Sequence, residues 1–439
     1  MTDSTRMRAL ALGAALLAPG LAPGLAQAAN WLLLQGSEPE QGTRALRPWG
    51  FAQLAYQRGE DTPIPVGGWT GQGMAANRLG PDKRAAERWQ LHRLRLGVRG
   101  RVPGGAPLDY LVAVEAGDNG ATREGDELQL IDASLSYRID PALRLRLGQF
   151  KPPGSEEALR PAPRQPYFAV STAVDQLLNE TFLDHDGSDP LDANTPRGPR
   201  SLYHDIGAQL FGVLPGGGPW AHSYALMLGN GNGVARLDDD SHKDLYLYWS
   251  SEHVEGGRGA ARQGTKLFGW WQQGRRELDG ADPGSHLRTR AGAGVIHQAA
   301  RWRLSGEYLV GRGMILAGSD GGAVPGSWNN AATRIAGRNL LPEGEAEGWY
   351  LEGGWRLAPR TWLDLRYDRY DRGTESAADH RRFTTWTLGL RYRIDRHWQV
   401  MANYQWREAE APGLDARADA NRLLAALDDR LALQLQFVY

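Results

Sequence analysis

Arginines alternate with apolar residues in several short stretches of the chain. Residues 90–99 read QLHRLRLGVR and residues 143–149 read LRLRLGQ. Successive side chains of a β-strand point to opposite faces, so the arginines and the leucines of each stretch lie on opposite faces. A guanidinium group stays charged at physiological pH and donates paired hydrogen bonds to phosphate or carboxylate oxygens. Such a face is suited to the binding of anions.

The same alternation, followed along the chain, predicts one set of basic residues on a common face. The predicted anion-contacting residues are Arg93, Arg95, Arg99, Arg138, Arg144, Arg146, Lys151, Arg288, Arg290, Arg303, Arg366, Arg391 and Arg393, with Arg356 on the same face and Lys151 included if Pro152 turns the chain. The carboxylates predicted on that face are fewer, namely Glu115, Asp132, Asp205, Glu307, Glu352, Asp364 and Asp368. At about 4 Å a cation stabilises an anion by about 1 kcal/mol in water and by about 4 kcal/mol at an effective dielectric constant near 20. Several such sites in series attract an anion without trapping it.

Composition excludes several classes of protein. The chain has 439 residues, of which 41% are hydrophobic, 23% are charged and none is cysteine. This composition excludes a disulfide scaffold, a thiolate metal site and a cysteine nucleophile. The formal net charge of −1 provides no global basic field for nucleic acid. Beyond the N-terminus no run of about 18 apolar residues could cross a bilayer as a helix. We predict no cofactor and no metal site, since the histidines show no metal-ligand spacing.

The N-terminus has the pattern of an export signal. Arg6 and Arg8 precede an apolar stretch over residues 9–25, and Ala26-Gln27-Ala28 has the small-x-small form of a cleavage site. We therefore predict a cleaved signal peptide over residues 1–28, with a packed or interfacial helix as the alternative. Residues 29–48 are predicted to be a short periplasmic segment.

From residue 49 onward the hydrophobic pattern has period two, which indicates strands. The predicted strands span residues 49–57, 89–101, 108–118, 127–138, 143–151, 204–214, 220–230, 243–252, 264–274, 286–299, 301–312, 346–357, 361–370, 381–393, 398–407 and 429–439. Every second connection is mostly short and turn-like, whereas the others are mostly long, notably 58–88, 152–203, 313–345 and 408–428. Short turns on one rim and long loops on the other are typical of outer-membrane barrels.

Membrane chemistry explains why such a sheet would close. In lipid every backbone polar group needs an internal partner, so the sheet leaves no edge and its outer face is apolar. Alternation alone also fits a soluble sandwich, but aromatic residues near strand ends fit an interfacial girdle. These aromatic residues are Trp355, Trp362, Trp386, Tyr392, Trp398, Tyr404 and Trp406. The predicted fold is an all-β transmembrane antiparallel barrel of sixteen strands over residues 49–439.

The last strand ends the chain on an aromatic residue. Leu431, Leu433, Leu435, Phe437 and Tyr439 alternate with smaller or polar residues. This pattern resembles the outer-membrane assembly signal of Gram-negative barrels, which implies the barrel assembly machinery as a partner and the outer membrane as the location. The alternative is the last strand of a soluble barrel.

Several short motifs together resemble the phosphate-selective porin O and P family. They are Gly148-Gln149-Phe150-Lys151-Pro152, Asp205-Ile206-Gly207-Ala208-Gln209-Leu210, Gly229-Asn230-Gly231-Asn232-Gly233 and Ser305-Gly306-Glu307-Tyr308. The resemblance implies a sixteen-stranded barrel, usually a homotrimer, that conducts small anions such as phosphate. It also implies that the third extracellular loop, residues 152–203, folds into the lumen and constricts it. The chain departs from the family at Pro152-Pro153-Gly154-Ser155, and its four lysines require any cationic ladder to be built from arginine.

Three classes of function remain open on the sequence. The main hypothesis is a passive, anion-preferring channel, and the nearest alternative is a weakly selective general porin. The alternative arises because the third loop is acidic: it holds Glu156, Glu157, Asp175, Glu180, Asp184, Asp186, Asp189 and Asp192 against Arg160, Arg164, Arg197 and Arg200. An outer-membrane barrel enzyme is less favoured, since Ser134 and Ser305 have no histidine nearby in sequence. A structural or adhesive barrel with a plugged lumen is the third class.

Overall fold

The structure is a computed structural model that describes residues 30–39, 43–120, 122, 128–234, 241–256, 262–281 and 283–439. The predicted signal peptide, residues 1–28, lies outside the described residues. Within the described ranges no helix is long and apolar enough to cross a membrane.

Sixteen strands form one closed antiparallel barrel, in which each strand pairs with its neighbours and the last strand pairs with the first. The barrel strands are β1 (Arg47–Arg58), β2 (Glu87–Arg101), β3 (Leu108–Ala116), β4 (Gln129–Asp140), β5 (Leu143–Phe150), β6 (Asp205–Pro215), β7 (Trp220–Gly229), β8 (Asp244–Gly256), β9 (Gln263–Leu278), β10 (Gly284–Gln298), β11 (Trp302–Arg312), β14 (Glu345–Ala358), β15 (Thr361–Arg372), β16 (Arg381–Arg393), β17 (Trp398–Glu410) and β18 (Arg430–Val438). Two further strands, β12 (Ile315–Ser319) and β13 (Arg338–Leu341), form a separate hairpin in the connection between β11 and β14.

The predicted barrel of sixteen strands is confirmed. The largest differences from prediction are at the ends of β8 and β9, which extend to Gly256 and Leu278. These ends are polar and lack the alternation that marks a buried face, yet they continue the hydrogen-bonded ladder with their neighbours. The β12–β13 hairpin was not predicted, because its strands are only five and four residues long.

The faces of the barrel invert the pattern of a soluble protein. On β14 and β15 the leucines Leu351 and Leu365 are 50% and 46% exposed, whereas Glu352, Asp364 and Arg366 are at most 1% exposed. Charged residues are almost never fully buried in soluble proteins unless they are paired. The exposed leucines therefore form the outer surface that lipid covers, and the charged residues face the barrel interior.

The connections segregate to the two ends of the barrel. The longest ones, residues 59–86, 151–204, 313–344 and 411–429, all lie at one end, which we call the long-loop rim. The opposite end, the short-turn rim, has connections such as 141–142 and 359–360. Apolar side chains of the first and third of these long connections, including Ile64, Trp69, Met74, Ala323 and Ala336, pack together at the long-loop rim.

The barrel interior contains helices as well as charged residues. Helices α1 (Trp31–Leu34), α2 (Glu156–Leu159) and α3 (Thr172–Leu178) lie there, with a 3-10 helix at Ala162–Arg164. A further helix, α4 (Asp419–Leu424), and a 3-10 helix at Asp320–Gly322 belong to the long connections at the long-loop rim. We call residues 152–203, which carry α2 and α3, the inner segment. Apolar side chains of α1, α2 and α3 pack against inward aromatic residues of the wall, including Phe211, Trp270 and Tyr350. The apolar core therefore lies within the barrel.

Candidate functional site

The inner segment begins with three consecutive residues that each contact the barrel wall. The Ser155 hydroxyl donates a hydrogen bond to Glu307 over 2.8 Å. Glu156 accepts hydrogen bonds from the Tyr248 hydroxyl and from Lys266. Glu157 accepts from Arg366 on β15 over 3.1 Å and from the Ser171 hydroxyl over 2.6 Å. These contacts connect the start of the inner segment to four strands of one side of the wall, β8, β9, β11 and β15.

Glu307 on β11 is a shared hydrogen-bond acceptor at which several elements meet, and we call it a node. Besides Ser155, its carboxylate accepts hydrogen bonds from the Trp270 indole over 2.7 Å and from the Tyr350 hydroxyl over 3.1 Å. Three neutral donors thus satisfy a carboxylate that is 3% exposed. Glu307 therefore joins β9, β11, β14 and the inner segment at one point.

Two of the predicted anion-contacting arginines pair with carboxylates on neighbouring strands. Arg303 on β11 contacts Glu352 over 2.5 Å and Asp364 over 2.9 Å. Arg391 contacts the same Asp364 carboxylate over 2.6 Å. Arg160 of the inner segment contacts Glu352 over 3.0 Å. Three guanidinium groups therefore share two carboxylates.

A second group of predicted arginines pairs on the opposite part of the wall. Arg95 on β2 contacts Glu115 over 2.6 Å and lies 4.0 Å from Asp132, and Arg93 lies 3.5 Å from Glu115. The β2 strand carries a bulge at His92, because Leu91 pairs with Leu54 while Arg93 pairs with Gln53. His92 and Arg93 consequently both face the interior.

Three further predicted arginines contact the inner segment rather than an open cavity: Arg366, Arg288 and Arg290. Arg366 contacts Glu157 and Asp368 and lies over the Tyr167 ring. Arg288 contacts Glu180 over 3.1 Å, and both Arg288 and Arg290 donate to the carbonyl of Leu177 at the end of α3. Arg290 also donates to the carbonyls of Gly313 and Met314. These arginines cap chain segments that would otherwise leave buried carbonyls unpaired.

The remaining predicted residues have diverse surroundings. The Lys151 ammonium donates to the carbonyls of Ala158 over 2.6 Å and Arg160 over 3.3 Å. Arg99 and Arg146 contact residues 30–38. Arg144 is 6% exposed and lies opposite the half-buried Arg138, and Arg393 is exposed near the short-turn rim.

Burial and nearby arginines determine the pKa values of Lys151 and of carboxylates in the inner segment. Burial, together with the nearby Arg95 guanidinium, lowers the pKa of Lys151 to about 7. Burial also raises the pKa of Glu157 above its ordinary value, against the opposing effect of Arg366. For Asp175 burial raises the pKa, but the Arg200 guanidinium outweighs it and holds the value below the ordinary one.

Basic residues from four parts of the chain meet at one cavity of about 270 Å³. The lining cations are Arg160, Arg164, Arg262, Lys266, Arg303, Arg391 and Arg393, and the one carboxylate among the lining residues is Glu252. An adjoining cavity of about 310 Å³, which shares Arg391 and Arg393, adds Arg356 and Arg360. The Arg262 guanidinium makes no hydrogen bond to the described residues and lies 4.0 Å from Glu252. Together these two cavities concentrate positive charge around open volume, and they constitute the candidate site.

The predicted anion-contacting set lacks four cations that line the first cavity of this site, namely Arg160, Arg164, Arg262 and Lys266. On β9 the inward positions include Lys266, Phe268 and Trp270, whereas Leu267 is 54% exposed on the outer face. Both faces of β9 are apolar in this part, because the inward aromatic residues pack against the inner segment. The strand therefore has no polar face that would mark the interior. The signal that could have located Lys266 is its register with Glu252 on β8, to which its ammonium is 2.9 Å distant.

Neither of the two serines considered for catalysis meets a histidine among the contacts of the described chain. The Ser305 hydroxyl donates to Glu352 over 3.3 Å, and Ser134 is buried on β4. Within the same ranges, no group of three or more histidine or acidic side chains is placed to hold a metal ion.

A closed barrel of sixteen antiparallel strands, apolar outside and charged inside, has the architecture of an outer-membrane porin. Residues 321–439 match the model of the family described as phosphate-selective porin O and P. The resemblance to that family is therefore confirmed, and the match covers the C-terminal strands rather than the motifs at 148–308. No curated protein sequence matches the chain.

Solved structures of outer-membrane proteins and of a porin share this fold. An OmpF–daunomycin complex from Salmonella typhi is 12% identical with a TM-score of 0.52, covering 90% of this chain and 97% of that chain. A loop-deletion mutant of OmpT, an outer membrane protein of Vibrio cholerae, is 10% identical with a TM-score of 0.51, covering 90% and 99%. An anion-selective porin from Comamonas acidovorans is 13% identical with a TM-score of 0.50, covering 90% and 99%. At such identities the similarity establishes the fold.

Proposed function

We propose that this protein is a porin of the Gram-negative outer membrane that lets small solutes diffuse passively and prefers anions. The observation that carries the proposal is the cavity near the short-turn rim, where seven cations face one carboxylate. A low-dielectric wall strengthens the attraction of such a group for an anion, and several sites in series permit release. The similarity of the fold to a structure described as an anion-selective porin also supports a preference for anions.

The inner segment is proposed to be the constriction. Its contacts with β8, β9, β11 and β15 hold it against side chains of the barrel interior. A sixteen-stranded barrel without such an element encloses a wide aqueous channel. An element held in the lumen therefore sets the width through which a solute passes.

Family resemblance extends the proposal to phosphate-like anions as solutes and to a homotrimer as the assembly. A neighbouring OmpT structure is described as a trimer form. We further propose export with loss of residues 1–28 and membrane insertion by the barrel assembly machinery through β18. Crosslinking of the protein in detergent, followed by unboiled electrophoresis, distinguishes a trimer from a monomer.

A weakly selective general porin is the second candidate, and the ion pairs favour it. Arg303, Arg391, Arg95 and Arg366 all contact carboxylates, which reduces the net charge that a passing ion meets. The two candidates share the channel but differ in ion selectivity. The selectivity of the pore therefore decides between them.

The decisive experiment measures reversal potentials in planar bilayers across a KCl gradient, for the wild type and for R164Q/R393Q. Both residues line the cavity. We expect an anion-selective wild type and an anion-to-cation permeability ratio that falls about fivefold in the variant, equivalent to about 1 kcal/mol. The control is Arg396→Gln, an exposed arginine in the turn between β16 and β17. A cation-selective wild type rejects the anion preference, and an unchanged ratio in the double variant favours the general porin.

A further inference from the structure

Residues 30–38, which read NWLLLQGSE, contact the interior of the barrel, and we call them the N-terminal insert. The sequence predicts residues 29–48 as a short periplasmic segment, and the insert is the part of that range with contacts to inward side chains. Helix α1 buries Leu32 completely and Leu33 to 5% exposure. Both leucines belong to the apolar cluster that includes Leu159 of the inner segment and Phe211 of β6. The insert therefore packs between the wall and the inner segment.

Polar contacts fix the insert along its length. At its start Asn30 donates to the Ser223 hydroxyl on β7 over 2.5 Å and caps α1 by accepting from the amide of Leu33. In its middle Gln35 exchanges two hydrogen bonds with the backbone of Lys151, over 2.9 and 3.1 Å. At its end the Glu38 amide donates to Asp109 on β3 over 2.9 Å. Contacts with β3, β5, β7 and the inner segment specify one position for these residues.

Two predicted pore arginines are bound by the insert. Arg146 is fully buried, lies over the Phe211 ring, and donates to the carbonyls of Leu32 and Gln35. Arg99 donates to the carbonyl of Ser37 over 2.8 Å and contacts the Glu38 carboxylate. Glu38 also contacts Arg47 over 3.0 Å. The insert thus supplies both the acceptors and a negative charge to the basic wall.

The insert also reaches the candidate site. Trp31, the first residue of α1, lines the cavity that Arg164 and Arg393 line. A helix with its side chains is about 10 Å across, which is a large part of a lumen that already holds the inner segment. The insert therefore affects both the open cross-section and the charge of the interior.

We infer that the N-terminal insert is a selectivity element of the pore. It occupies lumen cross-section, holds Arg146 and Arg99 away from passing ions, and adds the carboxylate of Glu38. The inference depends on the proposed channel function but not on the sign of its selectivity. When the insert leaves its position, the pore is wider and its wall is more basic.

The test displaces the insert while leaving the barrel strands unchanged. The variant L32D/L33D places two carboxylates in the buried apolar cluster, which expels α1 because an unpaired buried charge is very unfavourable. The matched control is Leu34→Asp on the same helix, since Leu34 is 37% exposed. A second variant, Gly36→Val, adds no charge: Gly36 has φ +64° and a Cβ there would lie 3.2 Å from the Ser134 hydroxyl.

Single-channel conductance and reversal potential are measured for each protein in planar bilayers, and heat-modifiable gel mobility verifies that each barrel is folded. We expect conductance to rise about twofold or more in both L32D/L33D and Gly36→Val, because an element about 10 Å wide leaves the lumen. The anion-to-cation permeability ratio should rise in the same two variants, and Leu34→Asp should behave as the wild type. Folded variants with wild-type conductance overturn the inference. A wild type that does not conduct overturns the proposed function, and a cation-selective wild type whose conductance still rises on displacement overturns only the anion preference.

Discussion

At the scale of single residues, the buried arginines of the barrel interior have two kinds of partner, backbone carbonyls and carboxylates. Arg290 and Arg146 donate mainly to backbone carbonyls, whereas Arg303 and Arg391 pair with carboxylates. A buried charge without partners is very unfavourable, so these contacts offset the cost of burying the guanidinium groups. The cations that line open volume, such as Arg164 and Arg393, are the ones we assign to solute contact.

Lys151 provides a pH-dependent prediction. Its pKa is lowered by burial to about 7 from an ordinary 10.5, so the side chain is charged below about pH 7 and neutral above it. The anion-to-cation permeability ratio should therefore fall as pH rises through 7, because a cation is lost from the constriction. Reversal potentials between pH 5.5 and 8.5 measure this change.

Two lysine variants test whether Lys151 is the group that titrates. Lys151→Met should remove the pH dependence, since no titrating ammonium remains. Lys243→Met, a change of the exposed lysine before β8, should retain it. A pH dependence that persists in Lys151→Met would assign the titration to another group.

At the scale of elements, the inner segment is held by a few buried side chains at its start. Ser155, Glu156 and Glu157 contact different strands, and Glu307 accepts hydrogen bonds from three donors. Because these contacts join residues that are far apart in sequence, they both stabilise the barrel and hold the inner segment in its position. Loss of one node should therefore affect both stability and conductance.

Glu307→Ala should lower the free energy of unfolding by at least about 3 kcal/mol, because three buried donors lose their acceptor. The urea dependence of unfolding from detergent micelles or vesicles measures this change. The control is Glu343→Ala, since the Glu343 side chain is 73% exposed and an exposed carboxylate contributes at most about 1 kcal/mol through an ion pair. Equal effects of the two substitutions would contradict the role of Glu307 as a node.

At the scale of the whole molecule, the outer face requires a lipid environment. Leu365 near the middle of β15 and Leu357 near the end of β14 are both exposed on that face. An arginine on the lipid face costs about 2–4 kcal/mol at the bilayer midplane and about 0–1 kcal/mol near the interface.

Leu365→Arg should therefore destabilise the barrel in vesicles by about 2–4 kcal/mol, and Leu357→Arg by about 0–1 kcal/mol. Folding free energies measured by urea titration in lipid vesicles compare the two variants. Since both changes replace an exposed leucine by arginine, only their depth differs. Equal costs would show that the outer face does not lie in a bilayer.

Much of the wall could be predicted from sequence. Strand positions follow from alternation of period two, and the two rims follow from the lengths of the connections, both of which are local properties. The prediction was less complete on β9, where Phe268 and Trp270 face inward and the expected polar face is apolar. It was also less complete at β2, where the bulge at His92 changes the register.

Local sequence is sufficient to predict a sixteen-stranded barrel with a charged interior, because each strand carries its own two-faced pattern. Which charges neutralise one another, and which line open volume, depends on the three-dimensional arrangement of the strands and of the segments inside the barrel. Arg303 contacts Glu352 and Asp364, which lie 49 and 61 residues further along the chain, and Arg146 donates to Leu32 of the N-terminal insert, 114 residues before it. Such partners are set by closure of the sheet and by the segments that fill it, and no local pattern in the chain records either.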